Sequence, residues 1–439
     1  MGIRILREEA EAFRRAAGGV TVFEPRHRTR GDVFAGKYLD VPGGRAIDLS
    51  GLDYLALGSD PQVKRVMAES LERHDCGIPG SEAIIQTGQS HLLEQELARF
   101  HLGCGTAITF SSGYSTNFSL MEALGLRTNS HFIRMHRDAF PVPATEPAPT
   151  IFFMDGDLHF SARHGIRFAS RLNEGACVAH TYRTGDIGHL AALLRRSMDS
   201  HGDRAVRVIL TDTLESATGR EFDMAELCRL AEEWDCLVYA DEAHAVGVLG
   251  PRGRGVTAKV ADFERYRDRL VIMGTLTKVF CQPGGYAAVG DPGLATLLKF
   301  CSPQHVFSAP VPPWIAAATV RLIGMVAGEY GETRRERLRA VARHARLRLA
   351  ETGFDLVGDV TADTPIVAIP LRVPRLGGRV LEFLRREGFV VSVFQKPLMP
   401  AGREVLRLAV RADLEMEEVE GLVQALVRCR EALPFTGSG

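Results

Sequence analysis

From about Thr106 to Val289 the chain repeats one pattern: a short apolar run, a turn, then a stretch with apolar residues at helical spacing. The runs are Ala107–Phe110, Thr150–Met154, Ala205–Thr211, Cys236–Ala240 and Leu270–Gly274. Most are continuously apolar, which suits strands buried on both faces. In Met224–Trp234, Ala225, Leu227, Leu230 and Ala231 fall on one face of a helix. Strands alternating with helices predict an α/β architecture, with a largely parallel sheet covered on both sides. After about Pro310 the pattern changes. Long helices are expected over Pro312–Ala327 and Glu332–Glu351, then strands over Ile366–Pro370, Phe389–Phe394 and Val405–Val410, and a closing helix over Glu415–Arg430. That is a smaller α+β unit. Residues 1 to about 45 read as a helical arm and a polar, Gly-containing connector. The Pro- and Ala-rich Arg137–Thr150 reads as an excursion loop. The expected division is an arm and connector over 1–60, a large domain over 61–305 and a C-terminal domain over 306–439.

Composition narrows the picture mainly by exclusion. At 439 residues the chain is too long for one small core. A net charge of -1 gives no electrostatic reason to expect nucleic acid or an anionic membrane as partner. Eight cysteines without a C-x-x-C pair fit reduced thiols and a cytoplasmic location. Met1–Gly19 is charged and amphipathic, unlike a secretory signal. The most apolar stretch, Trp314–Gly328, is interrupted by Arg321 and is too short to span a bilayer.

Four segments carry candidate chemistry. Lys278 follows the apolar run ending in Gly274-Thr275, which puts an amine at the C-terminal edge of the sheet, where α/β proteins hold ligands. A desolvated lysine there can lose its proton and form an imine. Asp241 ends another run, and His244 follows three residues later. A carboxylate in this position can keep a pyridine nitrogen protonated. It equally fits a strand-end turn cap. In Ser111-Ser112-Gly113-Tyr114 a strand passes into a helix, and small residues let backbone amides approach a phosphate. His159, in Asp155-Gly-Asp-Leu-His-Phe-Ser161, opens the next helix and could stack on a flat ring. No third ligand at suitable spacing supports a metal at Asp241 and His244. Neither G-x-G-x-x-G after an early strand nor G-x-x-x-x-G-K-[ST] occurs, which argues against a nicotinamide dehydrogenase and a P-loop NTPase.

These pieces, in this order, resemble the α-oxoamine synthase family from about Asp48 to Leu426. The most specific are Asp241–Gly255, Gly274–Lys278 and Gly284-Gly285-Tyr286. The resemblance implies fold type I (aspartate aminotransferase-like) and pyridoxal 5′-phosphate, held by Lys278 as a Schiff base. Lys278 would then move the α-proton of an amino acid. Asp241 would pair with the pyridine nitrogen, His159 would stack on the ring, and Ser216 and His244 would sit near the phenolic oxygen. Ser112, Gly113 and Tyr114, with Thr275, would hold the phosphate. Ser308 would reach the phosphate of a partner subunit, implying a homodimer with shared sites. Arg407 would bind the substrate carboxylate. The second substrate would be an acyl thioester, on coenzyme A or an acyl carrier protein.

The departures fall on substrate-facing positions. Leu52 replaces a hydrogen-bonding asparagine, and Glu82 stands where the family has arginine. Gln86-Thr87 replaces Gly-Thr, and the late His-Thr is missing near Ala412–Leu414. Val390–Pro397 and Asp53–Leu57 look more like the autoinducer synthase branch, which can take S-adenosylmethionine. That points to specialised metabolism or signalling. It also leaves an alternative open: γ-elimination from S-adenosylmethionine, with Glu82 attracting the sulfonium. The plainer reading of Glu82 is a solvated surface residue. A non-catalytic partner subunit is the remaining alternative, opposed by the presence of Lys278, Asp241 and His159.

Overall fold

The computed structural model describes residues 2–17, 36–41, 44–129, 133, 148–173, 175–373, 376–395, 399 and 402–436. Most of the expected 137–150 loop, residues 18–35 of the connector and the 396–397 end of the Val390–Pro397 tract lie outside them. The described strands are β1 (Tyr38–Val41), β2 (Gly44–Asp48), β3 (Thr106–Phe110), β4 (Thr150–Asp155), β5 (Cys177–Tyr182), β6 (Val206–Asp212), β7 (Leu237–Asp241), β8 (Leu270–Thr275), β9 (Gly285–Val289), β10 (Ile366–Pro370), β11 (Phe389–Val390), β12 (Ser392–Phe394) and β13 (Val405–Ala409).

Seven of them form the main sheet in the order β3-β9-β8-β7-β6-β4-β5. The five strands from β8 to β5 run parallel, and β9 is antiparallel to both β3 and β8. Alternate residues of each inner strand enter opposite cores. Phe153, Ile209 and Ala240 pack in one; Phe152, Val208 and Tyr239 pack in the other. This alternation is why the inner runs read as continuously apolar. Two sheet strands gave no such run. β5 is an edge strand with polar residues on its outer positions, and β9 is built of Gly, Tyr, Ala, Ala and Val.

The expected strand over Phe389–Phe394 divides at Val391. Residues 389 and 390 pair in parallel with Ile47 and Asp48 of β2, while residues 392–394 pair with β13. The connector therefore shares a sheet with the C-terminal part, and Leu49 O accepts a bond from Ala409 N (2.8 Å). Pro313–Ala327 packs against the helices Pro61–Arg73 and Gly88–Leu102. The next helix, Glu329–Glu351, sends buried Arg335 back to donate to Gly247 O (3.3 Å) and Val326 O (2.7 Å). Among the described residues no helix is long and apolar enough to cross a membrane.

Candidate active site

Three adjacent strands end in aspartate at the same edge of the sheet: Asp155 on β4, Asp212 on β6 and Asp241 on β7. Asp212 and Asp241 stand opposite each other in register, so only one strand spacing separates them. Burial and the Asp241 charge push Asp212 well above the usual carboxylate range. Asp241 accepts from Asn117 Nδ2 (2.9 Å) and from the Ala243 N–H (3.0 Å).

Asn117 fixes the hydrogen-bond directions around it. Its Nδ2 donates to Asp241 and to Ser161 Oγ (3.0 Å), so its Oδ1 accepts from the Tyr239 hydroxyl (2.6 Å). The Ser161 proton is then free to reach His159 Nδ1 (2.7 Å), which also takes the Ser161 N–H (3.3 Å). By elimination, the neutral His159 ring carries its proton on Nε2. Burial of one side of this ring lowers its pKa; the Asp241 charge opposes that shift and Lys278 adds to it. His244 is held by Tyr54, whose hydroxyl lies 2.8 Å from Nδ1. Burial first, then Lys278, Arg407 and His159, push His244 well below the usual histidine range.

Lys278, three residues beyond β8, faces this cluster with its ammonium unbonded among the described residues. Burial brings its pKa down to about 8, against the opposing pull of Asp241 and Asp212. On the other side, Gly113 and Tyr114 open the helix Gly113–Leu126, with Ser112 as its N-cap. Ser112 Oγ accepts from Ser115 N (3.1 Å), leaving the first amides of the helix without an intrahelical partner. A Cβ on Gly113 would lie 3.1 Å from Thr275 Cβ, and one on Gly285 would lie 2.6 Å from the Gly113 nitrogen. These glycines bring backbone amides against the end of β8.

The cavity between these groups measures about 520 Å³. Lys278, Asp241, His159, His244, Ser112, Gly113, Tyr114, Thr275 and Leu52 all line it. So do Asn117, Asp212, Asp48, Asp53 and Arg411, which sequence reasoning did not single out. Ser216, Arg407, Glu82 and Ser308 are not among its lining residues. Arg407 is buried: its guanidinium donates to Ser216 O (3.1 Å) and Ser50 O (3.2 Å) and lies over Phe394, while Nε has no bond partner among the described residues. The arginine that does line the cavity is Arg411, bound to Asp413 (3.0 Å). Glu82 is not solvated. It is 7% exposed, accepts from Gln86 Nε2 (3.2 Å) and is pushed up to about 7 by burial and by Glu94. Ser308 lies in a separate groove with Ser81, Ile84 and Phe307.

The donor set fits pyridoxal 5′-phosphate. An unpaired amine of lowered pKa and a buried carboxylate face one space, and at its rim glycines leave room for a phosphate against helix amides.

The comparisons agree. The family model for aminotransferase class I and II matches residues 169–426. The "Putative 8-amino-7-oxononanoate synthase 2" of Mycobacterium tuberculosis is 32% identical over 96% of this chain; the chain spans about half (49%) of its length. The 8-amino-7-oxononanoate synthase of Burkholderia lata is 29% identical, with 93% of each chain covered. The erythroid-specific mitochondrial 5-aminolevulinate synthase of Rattus norvegicus is 28% identical over 85% of this chain and 58% of its own. Serine palmitoyltransferase from S. paucimobilis shares the fold, with a TM-score of 0.81 at 23% identity and coverage of 97% and 98%. The chain belongs to the aminotransferase class I and II family, and the relatives just named are α-oxoamine synthases, the group its motifs resemble.

Proposed function

We propose that this protein is a pyridoxal-phosphate-dependent transferase that joins the α-carbon of an amino acid to the acyl group of a thioester, releasing the thiol. The observation that carries this reading is that Lys278 and Asp241 line one cavity at the C-terminal edge of the sheet. Pyridoxal phosphate, when bound, supplies a ring that takes up the negative charge developed at the α-carbon. Asp241, steadied by Asn117 and the Ala243 amide, holds a proton at the ring nitrogen. Lys278 carries the proton to and from the α-carbon. With a pKa of about 8, roughly a tenth of it is a free base at pH 7. His159, a neutral imidazole bonded to Ser161, would lie against the ring, and His244, braced by Tyr54, would meet the phenolic oxygen. The Gly113 and Tyr114 amides and Thr275, which line the cavity, would hold the phosphate. Leu52 makes an apolar wall where an asparagine would orient substrate.

A homodimer fits the same reading. Ser308 shares its groove with Ile84 and Phe307, which are 83% and 68% exposed. Such exposed apolar residues suit a second copy.

The test incubates purified, cofactor-loaded protein with a panel of amino acids, S-adenosylmethionine and acyl thioesters. Thiol release is followed with a disulfide chromophore and α-proton exchange in D2O by NMR. One amino acid should exchange its α-proton, and adding an acyl thioester should release thiol. Exchange without thiol release from any thioester would remove the acyl-transfer half of the proposal. Absence of exchange with every substrate would remove the whole of it.

A further inference from the structure

The helix that begins beside His159 presents an exposed face of aromatic, aliphatic and basic side chains. Phe160, Phe168 and Leu172 are 65%, 37% and 51% exposed, and Arg167 and Arg171 stand exposed between them. Neither arginine has a carboxylate partner among the described residues. The helix, Phe160–Leu172, contains three arginines and no aspartate or glutamate, in a chain whose net charge is -1. Its third arginine, Arg163, is committed to the carbonyls of Asp155, Gly156 and Leu158. The face is continuous with the catalytic cavity. Tyr114, which lines that cavity and is 45% exposed, meets His164 of this helix (2.5 Å). From Phe160 to Leu172 the face runs about 18 Å away from the cavity mouth.

We infer that this face docks an acidic acyl carrier protein, which delivers its thioester-bound acyl group into the cavity past Tyr114. The inference rests on the function proposed above and names the carrier of its second substrate. Exposed aromatics interleaved with unpaired arginines are the composition of a protein-binding patch. A small nucleotide-bearing thioester favours a concave pocket that encloses most of it. An exposed helical face with net positive charge suits a flat or convex acidic partner instead. A second copy of this chain is the poorer occupant, because a two-fold contact through this patch would set arginine against arginine.

The test uses three octanoyl thioesters: one on a 4′-phosphopantetheinylated acyl carrier protein, one on coenzyme A and one on N-acetylcysteamine. Arg167→Glu combined with Arg171→Glu should raise KM for the carrier-protein thioester roughly tenfold or more and flatten its salt dependence. kcat, and KM for the N-acetylcysteamine thioester, should not change. Independently of turnover, fluorescence anisotropy should show the labelled carrier protein binding wild type at low ionic strength and not the variant. Phe160→Ser, which leaves the charge intact, should weaken carrier binding without changing its salt slope. The inference is overturned if wild type does not bind the carrier protein, if all three thioesters lose equally, or if sedimentation shows that the charge reversal dissociates an oligomer. If no thioester is ever turned over but the carrier binds in this salt-dependent way, the docking face stands and the acyl-transfer reading fails.

Discussion

Removing the Lys278 charge should stabilise the empty protein. Its pKa falls from 10.5 to about 8 because burial strips water from the ammonium faster than Asp241 and Asp212 compensate. A shift of that size corresponds to an upper bound of about 3.4 kcal/mol against the charged folded state. The side chain is only half-buried, so solvent screening brings the share down to about 1–3 kcal/mol. Lys278→Met keeps the length and removes the charge. In a chain of this size each kcal/mol moves Tm by about 1 °C, so the cofactor-free variant should melt about 1–3 °C above wild type at pH 7. The sign reverses nowhere, but the gap closes. Between pH 8 and 10.5 the unfolded lysine holds its proton while the folded one has lost it, so wild-type stability rises relative to the variant. Scanning calorimetry from pH 7 to 10.5 reads both effects. A wild type more stable than Lys278→Met at pH 7, or a gap that stays constant to pH 10.5, would refute the reasoning. The same desolvation has a chemical return: at pH 7 it raises the free-amine fraction on the order of 300-fold over an unperturbed lysine.

Asn117→Leu should cost about 2–4 kcal/mol in urea unfolding, since it leaves the Tyr239 hydroxyl, an Asp241 oxygen and Ser161 short of a partner in a buried setting. Gly113→Val should leave far-UV circular dichroism unchanged but weaken pyridoxal phosphate binding at least about tenfold by equilibrium dialysis, because a side chain there meets Thr275 and Met273 at 3.1 Å. Glu82 keeps its proton in the folded state between about pH 4.5 and 7, so wild-type stability should fall as pH rises through that window. Glu82→Gln should abolish the fall, read as a urea midpoint that no longer drops between pH 5 and 8. Arg407→Met should lower the urea midpoint, because it unpairs the Ser216 and Ser50 carbonyls.

The sequence made the inner strands and the cofactor-facing residues legible for one reason: both are written in local runs. Apolar segments ending in Asp241 or Thr275 announce a strand and its catalytic edge together. Asp212 was readable by the same rule, since Val-Ile-Leu-Thr-Asp mirrors Val-Tyr-Ala-Asp, yet only the in-register pairing of β6 with β7 shows the two carboxylates as neighbours. Asn117 lies three residues beyond the Ser111–Tyr114 segment, but its role depends on Tyr239, Asp241 and Ser161, which are distant in sequence. Substrate-side expectations held less of the geometry. Arg407 is committed to the Ser216 and Ser50 carbonyls, which are distant from it in sequence, so no local pattern separates it from Arg411, which lines the cavity. The burial of Glu82 follows from packing against Glu94 and His305, which no local pattern encodes.

The two-residue pairing of β11 with β2 has a practical corollary for handling the chain. Lys37–Asp48 supplies strands to a sheet that the C-terminal part completes, and Asp48–Asp53 forms one wall of the cavity. A deletion series from the N-terminus should therefore be tolerated only as far as the residues before Lys37, whose ammonium clamps Asp413 O (2.8 Å) and Glu418 (2.7 Å). Cutting further would strip a strand from one end of the polypeptide and unmoor the other, so affinity tags and fusion partners belong upstream of that clamp.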